Sequence, residues 1–324
     1  MNDLNISFDI RGILEYQQNR YPMLFIDGII NCVPGKFAEG YKLFSYNEWY
    51  FHGFDTKSPK VWNVVQIEAM SQIFLMTFFS DEQMLGKVAM SNKFDNVHFL
   101  RRIEPGDRLD LHAELLTFSR GIAKGKVKGF VNGLLTCSMD CVIVVPEMMI
   151  GANLVASKSI QKPKFPDQLE ESKTIDFGTD KVRECLLNKY PWLFIDKILD
   201  IEPGRYVRSI KNFTYNEHFF PTHFPLDPSV PGFIQIETCM QNFLLTFLSI
   251  EEFKRQETAD RSLSNVVLRR KVVPGETLEV KAYLDYFKRG VAKGRVESFV
   301  NSEPATSFEV TAVVLSEFNK FMPS

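Results

Sequence analysis

The sequence has little of what marks a secreted, zinc-binding or membrane protein. Its 324 residues include five cysteines, an odd number with no C-x-x-C pair, so neither a disulfide framework nor a zinc ribbon is indicated. The amino terminus lacks the positive charge and apolar run of a signal peptide. The longest apolar stretches are short or contain Glu and Gln, which a bilayer tolerates poorly. We therefore expect a cytoplasmic protein with no membrane span.

An excess of charge of one sign is also missing. The 38 Lys and Arg residues against 40 Asp and Glu residues leave a net charge of −2, so no whole-chain field attracts nucleic acid. Hydrophobic residues at 45% and charged residues at 24% are the balance of an ordinary globular protein. We expect no nucleic-acid partner and a length that suits two domains.

The chain contains one sequence twice. The seven residues from Tyr21 match those from Tyr190 at six positions, and the same offset then aligns further segments without a gap. These segments are Pro34-Gly35 with Pro203-Gly204, Tyr46-Asn47-Glu48 with Tyr215-Asn216-Glu217, Gln66-Ile67-Glu68 with Gln235-Ile236-Glu237, and residues 120–132 with residues 289–301. A long repeat present twice indicates two copies of one domain, each large enough for its own core. We predict an N-terminal domain over 1–150, a Ser-, Lys- and Pro-rich linker over 151–175, and a C-terminal domain over 176–324.

Each copy shows the same order of elements. Strand-like segments, 24–33 and 207–212, precede a helix near 62–80 and near 231–250. Each helix is rich in apolar residues, and in the first copy they occupy every face, so we expect burial all round. Alternating apolar and charged residues then follow, as in half-solvated antiparallel strands. The pattern predicts an α+β fold in which an antiparallel sheet wraps around a central helix, once per copy.

Seven motifs of the second copy resemble one known family. They are Tyr190-Pro-Trp-Leu-Phe-Ile-Asp196, Glu202-Pro-Gly204, Asn216-Glu217, His223-Phe-Pro225, Val230-Pro-Gly232, Gln235-Ile-Glu237 and Val273-Pro-Gly275. In this order they resemble the β-hydroxyacyl-acyl-carrier-protein dehydratases of fatty-acid synthesis, which have the hot-dog fold. The resemblance covers nearly all of 183–315, and 14–145 resembles the same fold with an altered loop. It implies two tandem hot-dog domains packed as a pseudo-dimer, with further homo-oligomerisation left open.

The resemblance also implies which residues act. In the family, the catalytic pair is the His of the H-F-P loop and the Glu of the central helix, from opposite units. This predicts that His223 works with Glu68, whereas Glu237 faces a copy without a base; a Glu237 acid remains the alternative. Asn19 and Asn188 stand where the family commonly has His, which we interpret as a change in packing or access.

The proposed chemistry needs three groups. Removing water from a β-hydroxyacyl thioester requires a base, an acid and a donor to the enolate-like oxygen. The imidazole of His223 suits the base, because its unperturbed pKa is near ~6.5, and a desolvated Glu suits the acid. Gly232 can present a backbone N–H at the start of a helix, and the predicted substrate-binding residues are Gly232, Phe224 and Pro231. Neither a cofactor nor a metal is needed.

The two loops differ in sequence. His223 aligns with Phe54, and His52 is two positions away, aligned with Pro221. The second loop holds four prolines, which restrict its motion. The first loop keeps only Pro59, and Trp62-Asn63 replace Pro231-Gly232. We predict one active site per chain.

Other interpretations stay open at this point. Glu68 and Glu237 could be packing residues, with Gln72 or Gln241 as partners. Basic residues on the strands could meet an acidic carrier protein, although a solvated strand face is favoured; they are Arg120, Lys124, Lys126, Arg289, Lys293 and Arg295.

The predicted activity is dehydration of a β-hydroxyacyl group, carried on acyl carrier protein, to a trans-2-enoyl thioester in fatty-acid or polyketide biosynthesis. The alternatives are a hot-dog thioesterase or a non-catalytic acyl-carrier-binding subunit.

Overall fold

The computed structural model describes residues 5–53, 59–149 and 177–321. The predicted linker and Phe54 lie outside these residues. The described residues form two compact units: the first contains residues 5–48, 59–149 and 218–228, and the second contains residues 49–53, 177–217 and 229–321. Each unit is thus built mainly from one copy of the repeat and includes a short loop from the other copy.

The first unit is an antiparallel sheet with one long helix across it. Its elements are β1 (Ile6–Phe8), α1 (Ile10–Tyr16), β2 (Gly28–Val33), β3 (Phe37–Leu43), α2 (Asn63–Phe79), β4 (Met90–Phe99), β5 (Arg108–Ser119), β6 (Ile122–Val131) and β7 (Leu134–Val144). The strand order is β1-β2-β3-β5-β6-β7-β4, and α2 packs against β2, β3, β5, β6 and β7. The predicted central helix is therefore confirmed, within one residue at each end.

The second unit repeats this design. Its elements are β8 (Phe177–Gly178), α3 (Thr179–Cys185), β9 (Lys197–Glu202), β10 (Tyr206–Phe213), α4 (Gly232–Leu248), β11 (Thr258–Leu268), β12 (Glu276–Lys288), β13 (Val291–Val300), β14 (Glu303–Val314) and α5 (Leu315–Phe318). The strand order is β8-β9-β10-β12-β13-β14-β11, which matches the first unit strand for strand. Among the described residues, no helix is both long and apolar enough to cross a bilayer.

The first predicted strand is shorter than the sequence suggests. The sequence pattern predicts a start at Leu24, but β2 begins at Gly28. The backbone N–H of Phe25 donates instead to the side-chain oxygen of Gln72 on α2, at 2.7 Å. A side-chain acceptor therefore takes the place of a ladder partner just before the strand.

The longest matching segment of the repeat is explained by packing. Arg120 and Gly121 have φ values of 50° and 75°, so they form the tight turn between β5 and β6. A Cβ at Gly125 would lie 2.2 Å from the ring of Phe74 on α2, so only glycine lets this strand approach the helix so closely. Gly294 has the same relation to Phe243, at 2.6 Å. The tight turn and the close approach of strand and helix therefore explain why the two copies share this segment.

Candidate active site

Glu68 is the accessible position in the body of α2. Every other residue of the helix is buried, except Asn63 at its first position. The Oε1 atom of Glu68 accepts a hydrogen bond from Nε2 of Gln72 at 2.8 Å. Loss of hydration raises the pKa of the Glu68 carboxyl to about 7, against the smaller opposing effect of this hydrogen bond. Near neutral pH the group can therefore hold a proton.

The side-chain amide of Gln72 has one possible orientation. Its Oε1 accepts from the backbone N–H of Phe25 at 2.7 Å, and its Nε2 donates to the carbonyl of Met23 at 2.8 Å. Because an N–H must face an oxygen in both contacts, the amide nitrogen is the atom that faces Glu68. Gln72 thus holds the carboxyl of Glu68 in place by donation alone.

Glu237 on α4 has the same polar contacts but little access. Nε2 of Gln241 donates to Glu237 at 2.8 Å and to the carbonyl of Trp192 at 2.9 Å, and the N–H of Phe194 donates to Oε1 of Gln241 at 2.8 Å. Glu237 is nevertheless only 5% exposed. The glutamine partners considered from the sequence are therefore present in both copies, and the two carboxyl groups differ in their exposure.

Larger side chains lie beside Glu237. Phe233 is one helical turn before it, on the same face of α4, and the ring of Phe233 stacks on Trp192 with centroids 6.5 Å apart. Both aromatic residues are almost fully buried. In the first unit the aligned positions carry the smaller side chains of Val64 and Met23.

The loop 218–228 belongs to the first unit, although it comes from the second copy. Both the N–H and the hydroxyl of Thr222 donate to the carbonyl of Phe219, at 3.2 and 3.3 Å. Phe224 and Asp227 exchange backbone hydrogen bonds of 3.4 and 3.1 Å. Between these two turns, the half-buried ring of His223 stacks on Phe224 with centroids 4.3 Å apart. The loop therefore holds His223 between two hydrogen-bonded turns.

The structure divides the predicted site residues between the units. His223, Phe224 and Glu68 belong to the first unit, and the residues in the second unit are Pro231, Gly232 and Glu237. Gly232 is the first residue of α4, directly after Pro231. No acceptor for the Gly232 N–H is present among the residues that the structure describes. The predicted base thus shares a unit with Glu68.

The corresponding loop of the first copy belongs to the second unit, where aromatic packing holds it. The rings of Trp49 and Tyr50 lie 5.1 and 6.3 Å from that of Trp192. The carbonyl of Gly53 accepts a hydrogen bond from the N–H of Lys189 at 2.9 Å. His52, which lies in the chain between the aromatic residues and Gly53, is exposed. This loop therefore presents its histidine to solvent, whereas the other loop keeps His223 half-buried.

The asparagines that depart from the family pattern stabilise tight turns. Nδ2 of Asn19 donates to the carbonyl of Met23 at 3.3 Å, and Nδ2 of Asn188 donates to that of Trp192 at 3.2 Å. Both asparagines are buried. Their contacts are those of packing residues next to the carbonyls that also bind the glutamines.

The exposed basic residues of the strands fit a solvated sheet face. Arg295 pairs with Asp285, and the guanidinium of Arg289 lies 5.2 Å from the ring centre of Phe321. Lys126 lies across the ladder from Glu114 on one side and Asp140 on the other. At Arg295 and at Lys126, acidic side chains thus lie beside the positive charge.

A seven-strand order that occurs twice, each time with a buried central helix, defines a tandem hot-dog protein. The sequence matches the FabA-like domain family over residues 18–140 and again over 186–309. The chain belongs to the FabA-like domain family, as a two-copy member of the hot-dog dehydratases.

Individual relatives agree with this assignment. The chain is 36% identical to the 3-hydroxyacyl-[acyl-carrier-protein] dehydratase FabZ of Acetivibrio thermocellus over 140 residues, which is 43% of this chain and 96% of that protein. Its fold is similar to the dehydratase domain from the CurJ module of curacin polyketide synthase, with a TM-score of 0.57 at 11% identity, over 92% of this chain and 98% of that one. It is also similar to a crystal structure described as a putative oleoyl thioesterase from Lactobacillus plantarum, with a TM-score of 0.51 at 11% identity, over 86% and 96%. The predicted two-domain hot-dog fold is confirmed.

Proposed function

We propose that the protein removes water from a β-hydroxyacyl group carried as a thioester on acyl carrier protein, and that the product is a trans-2-enoyl thioester of fatty-acid or polyketide-type synthesis. The proposal depends mainly on the protonation and the position of Glu68. Glu68 is half-buried, its carboxyl has a pKa raised to about 7 by loss of hydration, and it shares a unit with His223. The similarity to a 3-hydroxyacyl-[acyl-carrier-protein] dehydratase supports the same reaction.

In this mechanism His223 is the base and Glu68 is the acid. The imidazole takes the proton from the carbon next to the thioester carbonyl, and the electrons of that C–H bond form the new C=C bond. The C–O bond at the β-carbon breaks, and the departing hydroxyl takes the proton of Glu68 and leaves as water. Gly232 belongs to the second unit with Glu237, and its role as a donor to the thioester oxygen stays a prediction. Pseudo-dimeric packing and a cytoplasmic location also stay predictions.

Mass spectrometry of β-hydroxyacyl carrier protein after incubation with the protein tests the reaction. We expect the carrier-bound acyl group to lose one water, because both groups needed for elimination are present in the first unit. Release of the free hydroxy acid would instead identify a thioesterase. An unchanged acyl carrier protein would favour the non-catalytic carrier-binding role.

The raised pKa of Glu68 predicts a pH profile. An acid works only while it holds its proton, so kcat should decline once the pH exceeds about 7, by about tenfold for each further pH unit. Steady-state rates between pH 6 and 9 measure this limb. The residual kcat of Glu68→Gln should not show this decline above about pH 7, whereas the kcat of Glu237→Gln should still show it. A profile without decline up to pH 9 would contradict the assignment of Glu68 as the acid.

A further inference from the structure

A lysine is buried on the inner side of β10. The side chain of Lys211 is 8% exposed, and its Nζ lies 2.7 Å from Oε1 of Glu217, 2.8 Å from the carbonyl of Asn212 and 3.4 Å from Oδ2 of Asp196. An ammonium group has three donors, so each of its N–H groups has an acceptor. A buried charge satisfied in this way fixes the positions of its partners, since losing any of them leaves charge unpaired.

Glu217 is the last residue before the loop that carries His223. Its N–H donates to the carbonyl of Thr214 at 3.0 Å, so a turn and the ion pair fix the same residue. The backbone of the next residues is also restricted. Phe219 and Phe220 are fully buried, and the hydrogen-bonded turn at Thr222 follows directly. The ion pair thus sets the point from which the chain runs to His223.

The first copy holds the same cluster. Nζ of Lys42, whose side chain is 6% exposed, lies 3.1 Å from Glu48, 3.3 Å from Asp27 and 2.7 Å from the carbonyl of Leu43. Glu48 likewise stands directly before a loop, that of residues 49–53. The two clusters have equivalent partners, but only the second precedes a loop with the H-F-P histidine. The fold therefore contains its own control.

We propose that Glu217, held by Lys211, is a positioning residue for His223. This inference rests on the proposed role of His223 as the base. The ion pair fixes the start of the loop, and so the path along which the chain reaches His223. A shift of about 1 Å in a catalytic group can cost about 100-fold in rate, so loss of the anchor should lower kcat while the KM for acyl carrier protein stays the same.

Four variants in the dehydration assay test the proposal, with the melting temperature of each measured alongside. Glu217→Ala should lower kcat by about 10- to 100-fold with KM changed less than about twofold. Glu217→Gln should restore most of the rate, because its amide oxygen still accepts from Lys211. Glu48→Ala should lower the melting temperature by a similar amount and leave kcat unchanged. His223→Ala should be inactive.

Three results would overturn the positioning role: full kcat in Glu217→Ala, an equal loss of kcat in Glu48→Ala, or failure of Glu217→Gln to restore the rate. If Glu217→Ala does not fold, Glu217→Asp replaces it, since aspartate keeps the charge and shortens the anchor. A reduced kcat at unchanged KM is then expected, and an unchanged kcat overturns the proposal. Turnover by His223→Ala would instead contradict the proposed base, whatever Glu217 does.

Discussion

Replacement of His223 by alanine should lower the rate of dehydration by about 10²–10⁴-fold, which is the usual contribution of a positioned acid–base group. The half-buried ring of His223 stacks on Phe224 within its own loop. The hydrogen bonds of Thr222, Phe224 and Asp227 are made by backbone atoms or by the threonine hydroxyl, so they do not need the imidazole. The loop should therefore keep its conformation. Loss of water from β-hydroxyacyl carrier protein, followed by mass spectrometry, measures the effect.

His52→Ala is the matched control. His52 lies in the corresponding loop of the first copy, in the second unit, where it is exposed. We expect this variant to keep at least about half of the wild-type rate, as surface substitutions usually have small effects. If His52→Ala and His223→Ala lost activity equally, neither histidine could be singled out as the base.

Glu68→Gln should abolish most turnover, by about 10²–10⁴-fold, because an amide cannot donate an acidic proton to the leaving hydroxyl. The fold should tolerate the change, since the new amide oxygen can still accept from Nε2 of Gln72, as Oε1 of Glu68 does at 2.8 Å. Steady-state kcat at pH 6.5 to 7 measures the loss, because wild-type Glu68 still holds much of its proton there.

Glu237→Gln gives the comparison within the same molecule. It alters the other glutamate, which has an equivalent hydrogen bond from Gln241, and we expect most of the activity to remain because Glu237 is buried. Inactive Glu237→Gln with active Glu68→Gln would mean that the second copy supplies both base and acid.

The long elements could be predicted from the sequence because their causes are local. Apolar residues on every face of 63–79 require a buried helix, and the alternation from Leu109 gives inward-facing apolar residues on β5. The duplication made these predictions firmer, since each pattern occurs twice.

The difference in solvent exposure between Glu68 and Glu237 could not be predicted in the same way. The tripeptide Gln-Ile-Glu is identical in both copies. Val64 and Phe233, four positions before the glutamates, differ visibly in the sequence, but Met23 and Trp192 are more than forty positions before them. Only the folded chain brings Trp192 against Phe233, one turn before Glu237. The assignment of loop 218–228 to the first unit likewise depends on tertiary packing, although the family resemblance anticipates a catalytic pair from opposite copies.

The burial of the two lysines could be predicted from the alternation of inward-facing and outward-facing residues in their strands. Lys211 stands at an inward-facing position of β10, between Ser209 and Phe213, which are buried. A charged residue at such a position needs partners, and its repetition as Lys42 indicates that both copies retain them. Alternation in the strand therefore predicts a buried ion pair before each loop.

The contact of Gly53 with Trp192 bears on the evolutionary history of the gene duplication. A Cβ at position 53 would lie 2.1 Å from the Cβ of Trp192, whereas the aligned position in the other loop is Thr222. Restoring the Thr-His pair in the first copy would therefore create a steric clash unless the tryptophan changed too. A catalytic histidine loop in the first copy would therefore require coordinated substitutions in both halves of the gene.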